Sequence, residues 1–222
     1  MVDLIQFTAS IISAMVSIIA GGIFFNAYSK EKKTARLLWA IAFLLYAIGH
    51  IVNAGVVGLE IPATSEEGTF LLWFYVALSG AGTTGIVLYA TVPFLTRKAY
   101  VREILTLLFV GAYLIGSALF AFVLPDENLF AFINPATHVQ VLNMSWWVVE
   151  LLIPASFFIG IVFLRHYSIS KTQWGLWIGL SFLIYAIILF IWPIADLKWL
   201  FYIIRTVSVA FLGYGGILLA RD

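Results

Sequence analysis

Three ionisable residues, His50, Glu150 and Arg205, lie inside long apolar stretches of this 222-residue chain. A charged group in hydrocarbon costs on the order of 2.5–3.5 kcal/mol, so each one requires a partner or a function. Glu150 and Arg205 carry opposite charges, and both lie about 10 Å from the nearest polar end of their stretch, at about 1.5 Å per residue. We therefore expect an ion pair between Glu150 and Arg205, because pairing offsets most of the desolvation penalty.

His50 and Asn53, one helical turn apart, add an imidazole and an amide to this set. An imidazole can titrate near neutral pH. Two interpretations stay open: the four residues form a structural clamp, or they line an outward-facing polar pocket in which Arg205 binds a small polar or anionic ligand. An interface with a membrane-protein partner or a second copy of the chain is a third interpretation.

Further residues in the apolar stretches bear on a passage through the protein. Thr83 and Thr84 lie near the middle of the third stretch, where they either pack against a neighbouring helix or line the passage. Pro154 lies one turn after Glu150 and should kink its helix by freeing a backbone carbonyl. Transporters built from repeats commonly place their sites at such interrupted helices.

Other chemistries find no support in the residues. The chain has no cysteine and three histidines, of which only His50 lies within an apolar stretch, so paired histidine ligands for a haem are missing. No nucleophile elbow, intramembrane aspartate pair or phosphate-binding glycine loop is present. We expect no enzyme activity, no cofactor and no metal site.

The composition indicates that lipid is the solvent for most of the chain. Hydrophobic residues make up 63% and charged residues 10%, with a mean hydropathy of +1.06. Soluble proteins have about 45–50% apolar and about 25% charged residues. Disorder and a nucleic-acid-binding surface are thereby excluded. We expect a multi-pass protein of the cell membrane, in contact with the lipid bilayer.

Seven stretches reach the length of roughly 20 apolar residues that a helix needs to cross a membrane. Strand-like alternation is absent, so the predicted fold is an all-α bundle of seven transmembrane helices in a single domain. The predicted spans are 4–28, 37–59, 70–95, 104–124, 144–163, 173–194 and 199–220.

The charges outside these spans predict the orientation. Ten basic residues fall on one side: Lys30, Lys32, Lys33, Arg36, Arg97, Lys98, Arg102, Arg165, Lys171 and Arg221. The other side carries a single base, Lys198, and most of the acidic residues. Because basic residues accumulate on the cytoplasmic side of membrane proteins, we expect the N-terminus outside and the C-terminus in the cytoplasm.

The first and last thirds of the chain resemble each other. Residues 24–48 align with 163–187 without a gap, and ten of these 25 positions are identical, including Tyr28/Tyr167 and Lys32/Lys171. This predicts a parallel duplication, with repeat one at 4–95, a linker helix at 104–124 and repeat two at 144–220.

This 3+1+3 plan with an outside N-terminus resembles the architecture of microbial opsins and of SWEET-type sugar facilitators. Residues 213–221 (GYGGILLAR) are also similar to the end of an opsin seventh helix. An opsin holds retinal on a lysine midway along that helix, and this chain has no lysine there. Carboxylates of an opsin proton path are missing from the third helix, as is the Pro-Gln signature of the SWEET group. The resemblance therefore implies the helix plan without a retinal cofactor.

Three functions fit these observations. The first is a permease for a small solute or ion, with Glu150, Arg205 and His50 forming a polar site at the repeat interface. The second is a sensor or receptor module that resembles an opsin without retinal. The third is a non-catalytic subunit of a larger membrane complex. We place transport first, because duplicated helix plans have a precedent among transporters.

Overall fold

The computed structural model describes residues 2–62, 65–96, 98–123, 143–190 and 197–221 of the chain. Every secondary-structure element in these ranges is helical, which confirms the predicted all-α fold. The seven helices are α1 (Val2–Glu31), α2 (Thr34–Gly58), α3 (Glu66–Phe94), α4 (Ala99–Val123), α5 (Asn143–Ser170), α6 (Gln173–Leu189) and α7 (Lys198–Arg221).

Six of these helices are long and apolar enough to cross a membrane, and α6, at 17 residues, is shorter. The last part of the predicted sixth span, residues 191–194, lies outside the described residues. α1 and α5 extend beyond their predicted spans as far as Glu31 and Ser170. Polar residues can continue a helix past the apolar stretch that hydropathy detects. These lengths and compositions are compatible with an integral membrane protein.

The helices form a ring in chain order. Each helix packs against the next, and α7 packs back against α1, while α3 also touches α5. α4 packs on α3 and α5 and so lies at the edge of the ring. The polar residues of α1, α2, α3, α6 and α7 can therefore meet in the middle of the bundle.

The two ends of the bundle differ in charge. We call the end at the α2–α3 connection, which carries Glu60, Glu66 and Glu67, the acidic end. The opposite end, with the α1–α2 and α5–α6 turns, is called the basic end and includes Lys32 and Lys171. This separation of charge along the helices matches the pattern expected from the sequence.

The two turns at the basic end have the same local geometry. Lys32 and Lys171 both adopt left-handed backbone conformations, with φ of 55° and 58°. Their amides donate to the carbonyls of Tyr28 and Tyr167 at 2.7 and 2.8 Å, and each ammonium lies over the corresponding ring. These are aligned positions of the predicted repeat. The likeness of the turns supports the duplication, which itself stays a prediction.

The α3 helix changes its winding midway. An α-helical segment, Glu66–Val76, is followed by a π-helical segment, Ala77–Gly82, before α-helical geometry resumes at Thr83–Thr91. The helix begins at Ser65, whose hydroxyl accepts the amide of Gly68 at 3.0 Å. Single-turn π segments are frequent at functional sites because the wider turn moves backbone and side chains out of register. This one lies at the centre of the bundle.

Two apolar clusters occupy the two halves of the bundle. In the basic half, five rings pack together, and we call this set the aromatic cluster: Phe24, Trp39, Phe43, Phe163 and Trp174. In the acidic half, a second cluster centres on Tyr113, Val149 and Leu152 and surrounds a cavity.

Candidate functional site

A cavity of about 130 Å³ lies in the acidic half of the bundle, between α1, α2, α3, α4, α5, α6 and α7. Its wall combines apolar side chains with polar groups from six of these helices. The polar and aromatic part of the lining consists of Gln6, Asn53, Tyr75, Ser79, Tyr113, Tyr185, Tyr202 and Arg205. Such a mixture of apolar wall and a few convergent polar groups is typical of sites for small ligands.

Arg205 is the charged residue of this cavity, and it is 3% exposed. Nη1 donates to the hydroxyl of Tyr75 at 3.3 Å, and Nη2 donates to Oγ of Ser10 at 3.4 Å. The guanidinium carbon lies 5.0 Å from the ring centre of Tyr202 and 5.8 Å from that of Phe201. Nε has no hydrogen-bond partner. The cation is therefore held by neutral groups and ring faces.

The predicted ion pair between Glu150 and Arg205 is not formed. Glu150 is exposed on the outer surface of α5, whereas its neighbours Val148 and Val149 are buried and line the cavity. The ion pairs between described side chains all involve Glu31, at the basic end. The prediction was wrong because Glu150 lies on the exposed face of α5, whereas Val148, Val149 and Leu152 are the α5 residues that line the cavity with Arg205.

Pro154 lies on the same outward face of α5, one turn after Glu150, and is exposed. The helix continues through it from Asn143 to Ser170. The cavity-facing residue at this level is Leu152. Pro154 is thus not among the residues that line the cavity.

Asn53 joins the cavity wall to α1. Its side-chain nitrogen donates to Ser10 at 2.8 Å, and its oxygen accepts from the Gln6 amide at 3.3 Å. Because Ser10 also accepts from Arg205, a hydrogen-bond chain runs from Gln6 through Asn53 and Ser10 to the guanidinium. The prediction that Asn53 and Arg205 belong to one polar site is consistent with this chain.

His50 is 1% exposed and lies between two tyrosine rings. Its ring centre is 4.3 Å from that of Tyr46 and 5.3 Å from that of Tyr75. Neither ring nitrogen has a hydrogen-bond partner. Tyr75 contacts both His50 and Arg205 and so lies between them. His50 itself does not line the cavity.

A second, smaller cavity of about 30 Å³ continues toward the middle of the bundle. It shares Ser79 and Tyr185 with the first cavity, and Thr83 and Thr84 lie in its wall. Thr83 also donates to the carbonyl of Ala42 on α2 at 3.1 Å. Thr83 therefore bonds to a neighbouring helix and both threonines line this cavity, while their place on a passage through the protein stays a prediction.

Ser181 of α6 and Ser208 of α7 complete the polar part of the second cavity's wall. Ser181 and Ser208 each donate to the other's carbonyl, both at 2.8 Å. The aromatic cluster follows in the basic half, and its rings are buried. Polar residues thus line two adjacent cavities between the acidic half and the middle of the bundle, and the aromatic cluster fills the basic half.

Sequence reasoning missed most of the neutral groups in the cavity. Tyr75, Tyr113, Tyr185 and Tyr202 all line it, and their hydroxyls carry no charge that would attract attention in an apolar stretch. A signal was present on α1, where Ser10, with Ser13 and Ser17, recurs at spacings of three and four residues. All three serines are fully buried, so the stripe marks the inward face of that helix.

The chemistry available in this cavity is binding of a ligand through hydrogen bonds and positive charge. Among the described side chains, no group of three His, Asp or Glu residues could hold a metal ion. The lining instead offers a guanidinium, phenol hydroxyls and amides. No protein-family model, curated protein or solved structure matches the chain.

Proposed function

We propose that this chain is a multi-pass protein of the cell membrane that carries a small solute across the bilayer. The observation that supports this most strongly is the pair of adjoining polar cavities. They share Ser79 and Tyr185 in their walls; the first is lined by Arg205, and the second is lined by Thr83 and Thr84, nearer the middle of the bundle. A purely structural bundle gains nothing from such a space, because each cavity forfeits packing contacts.

The charge separation supports an orientation for transport. With the basic end in the cytoplasm, the N-terminus and the Arg205 cavity face the outside. The aromatic cluster then forms the cytoplasmic barrier. In this state the solute enters from outside and reaches Arg205, while the cytoplasmic route is closed by Phe24, Phe43 and Phe163.

The predicted duplication supplies a mechanism for opening the second route. Tyr46 and Tyr185 occupy aligned positions of the two repeats, and both line the second cavity. A binding site at the interface between two repeats lets one repeat rock against the other around a fixed solute. The π-helical segment Ala77–Gly82 contributes Ser79 to both cavities, and Tyr185 of the predicted second repeat lines the same two cavities.

The test is solute flux into proteoliposomes that contain the purified full chain, with a panel of small anionic, neutral and cationic solutes. We expect saturable uptake of one class, and at least a tenfold loss in Arg205→Gln. Glu150→Gln is the matched control, since it removes a charge of α5 that lies outside the cavity. Uptake that is absent for every solute, or unchanged in Arg205→Gln, contradicts transport through this site. Specific binding without flux would favour the sensor function.

A role as a subunit of a larger membrane complex is the second candidate. It is favoured by Glu150, whose carboxylate is exposed on the outward face of an apolar helix. An intramembrane carboxylate without a partner among the described side chains is costly, and a basic residue of a neighbouring protein would offset that cost. Extraction from native membranes in mild detergent should then copurify a fixed partner, and Glu150→Gln should release it. A chain that elutes alone in both forms contradicts the subunit role.

A further inference from the structure

We infer that the cavity at Arg205 binds one small monovalent anion, such as a halide, nitrate or a short carboxylate. The inference rests on the proposed function, because the anion would be the class of solute that the protein carries. Its physical basis is the charge, hydrogen bonding and volume of the cavity.

The charge of the site is not balanced by any described carboxylate. Arg205 is 3% exposed, and its hydrogen-bond partners Ser10 and Tyr75 are neutral. Ring faces of Phe201 and Tyr202 compensate only part of the desolvation, because a cation–π contact contributes about 0.5–2 kcal/mol. A buried guanidinium keeps its proton, and since no described carboxylate offsets its charge, a bound anion would remove the remaining penalty. Glu150 was the expected counter-charge, and it lies on the outward face of α5.

The unused donors of the site fit an anion. Of the five guanidinium N–H groups, one on Nη1 and one on Nη2 are bonded to protein, and Nε has no partner. An arginine can present Nε–H and a neighbouring terminal N–H as a fork that matches the two oxygens of a carboxylate or nitrate, and we expect the anion to bind there. The hydroxyl of Tyr113 is fully buried, lines the same cavity from α4 and also lacks a partner. In the proposed complex this hydroxyl would supply a further donor.

The volume limits the size of the anion. At about 130 Å³, the cavity is slightly smaller than an engineered protein cavity of about 150 Å³ that holds one benzene molecule. The ligand therefore has about six non-hydrogen atoms at most. Chloride, bromide, nitrate, formate and acetate are within this limit. Sugars and phosphorylated metabolites exceed it, and a divalent anion would leave one negative charge unpaired against the single guanidinium.

Thermal unfolding of the purified full chain in detergent measures this binding without requiring transport. Choline salts of chloride, nitrate, formate and acetate are compared at constant ionic strength with choline sulfate and gluconate. We expect the small monovalent anions to raise the melting temperature by roughly 5–10 °C at about 100 times their Kd. Sulfate and gluconate should leave it unchanged. A rise with all salts, or with none, overturns the inference.

Two substitutions identify the binding group. Arg205→Gln should abolish the anion-dependent rise, and Arg205→Lys should reduce it because a lysine keeps the charge without the planar fork. Glu150→Gln should keep the full rise. If Arg205→Gln does not fold, binding of labelled formate to Arg205→Lys is measured by equilibrium dialysis. Reduced binding supports the guanidinium fork, and undiminished binding contradicts it.

The outcomes separate this inference from the proposed transport. Anion binding that depends on Arg205 without flux in proteoliposomes supports the anion site and removes the permease function. Flux of a neutral or cationic solute without anion-dependent stabilisation supports the permease function and removes the anion site. The two proposals therefore fail in different experiments.

Discussion

Replacing Gly80 with alanine would place a methyl group against the ring and hydroxyl of Tyr113, within the cavity wall. A Cβ atom built at Gly80 overlaps the Tyr113 hydroxyl oxygen and Cζ, and it lies 3.0 Å from Cε1. Tyr113 is fully buried, so its ring cannot move aside into solvent or lipid. Overpacking of this kind costs about 1–3 kcal/mol. The overlap involves a rigid ring, which indicates the upper end of that range.

The higher helix propensity of alanine offsets part of this cost. Alanine is favoured over glycine in a helix by about 1 kcal/mol, which leaves a net loss of about 2 kcal/mol. For a chain of this size we expect the melting temperature of Gly80→Ala to fall by roughly 4–8 °C. The matched control is Gly22→Ala, because a Cβ there meets no atom within 4 Å. That variant should unfold at the wild-type temperature or slightly above it.

A double-mutant cycle with Tyr113→Phe identifies the cause of the loss. Removing the hydroxyl, which has no hydrogen-bond partner, should be neutral or stabilising by up to about 1 kcal/mol when measured in gluconate. In the double variant part of the Gly80→Ala loss should be recovered, because the hydroxyl overlap is removed while the overlap with Cζ remains, and the coupling should exceed the roughly 0.5 kcal/mol limit of additivity. Additive effects, or an unchanged melting temperature in Gly80→Ala, would refute the steric reasoning.

Three further predictions concern other parts of the bundle. Ser181→Ala and Ser208→Ala each remove a hydrogen bond between α6 and α7 and should lower the unfolding free energy by about 0.6 kcal/mol, and by no more than about 1.7, in detergent titrations. A larger loss would show a role beyond this contact. His50→Phe replaces a buried imidazole without hydrogen bonds and should raise the unfolding free energy by about 1 kcal/mol, whereas a decrease would reveal a partner of the imidazole. Because the chain has no cysteine, single substitutions Glu67→Cys and Lys33→Cys can be labelled selectively. A membrane-impermeant maleimide should label only the former in intact cells, and the reverse result would invert the orientation.

The sequence predicts the helices well because a single physical requirement, the length of apolar chain that crosses hydrocarbon, determines them. It predicts their ends less well, as α5 shows. The expected span ended at Phe163, and the helix continues to Ser170. Hydropathy detects the lipid boundary, whereas the helix ends at the turn around Lys171.

The candidate site was predicted in part. Asn53 and Arg205 lie in the cavity wall, as expected. A buried polar group requires hydrogen-bond partners, and both side chains find one in Ser10 on α1. The position of Glu150 could not be predicted from depth alone. In a membrane bundle both the inward and the outward faces of a helix are apolar, so the helical period does not identify the face that points inward. Tyr75 and Tyr113 were missed for a related reason, since an uncharged hydroxyl in an apolar stretch gives no signal.

The π-helical segment Ala77–Gly82 also escapes prediction from sequence. Its small residues suggest close helix packing, and close packing is what the structure shows at Gly49, where a Cβ atom would lie 3.1 Å from the Tyr75 carbonyl. The change in winding depends on contacts with α2 and α4 that a local pattern does not contain.

The most direct test of the anion site is the anomalous difference density of crystals of the full chain grown in bromide. We predict a bromide peak within about 4 Å of Arg205 Nε, on the side of the Tyr113 hydroxyl. The peak should vanish in Arg205→Gln and persist in Glu150→Gln. A cavity without bromide, with Arg205 paired instead to a carboxylate of the same chain, would contradict the account.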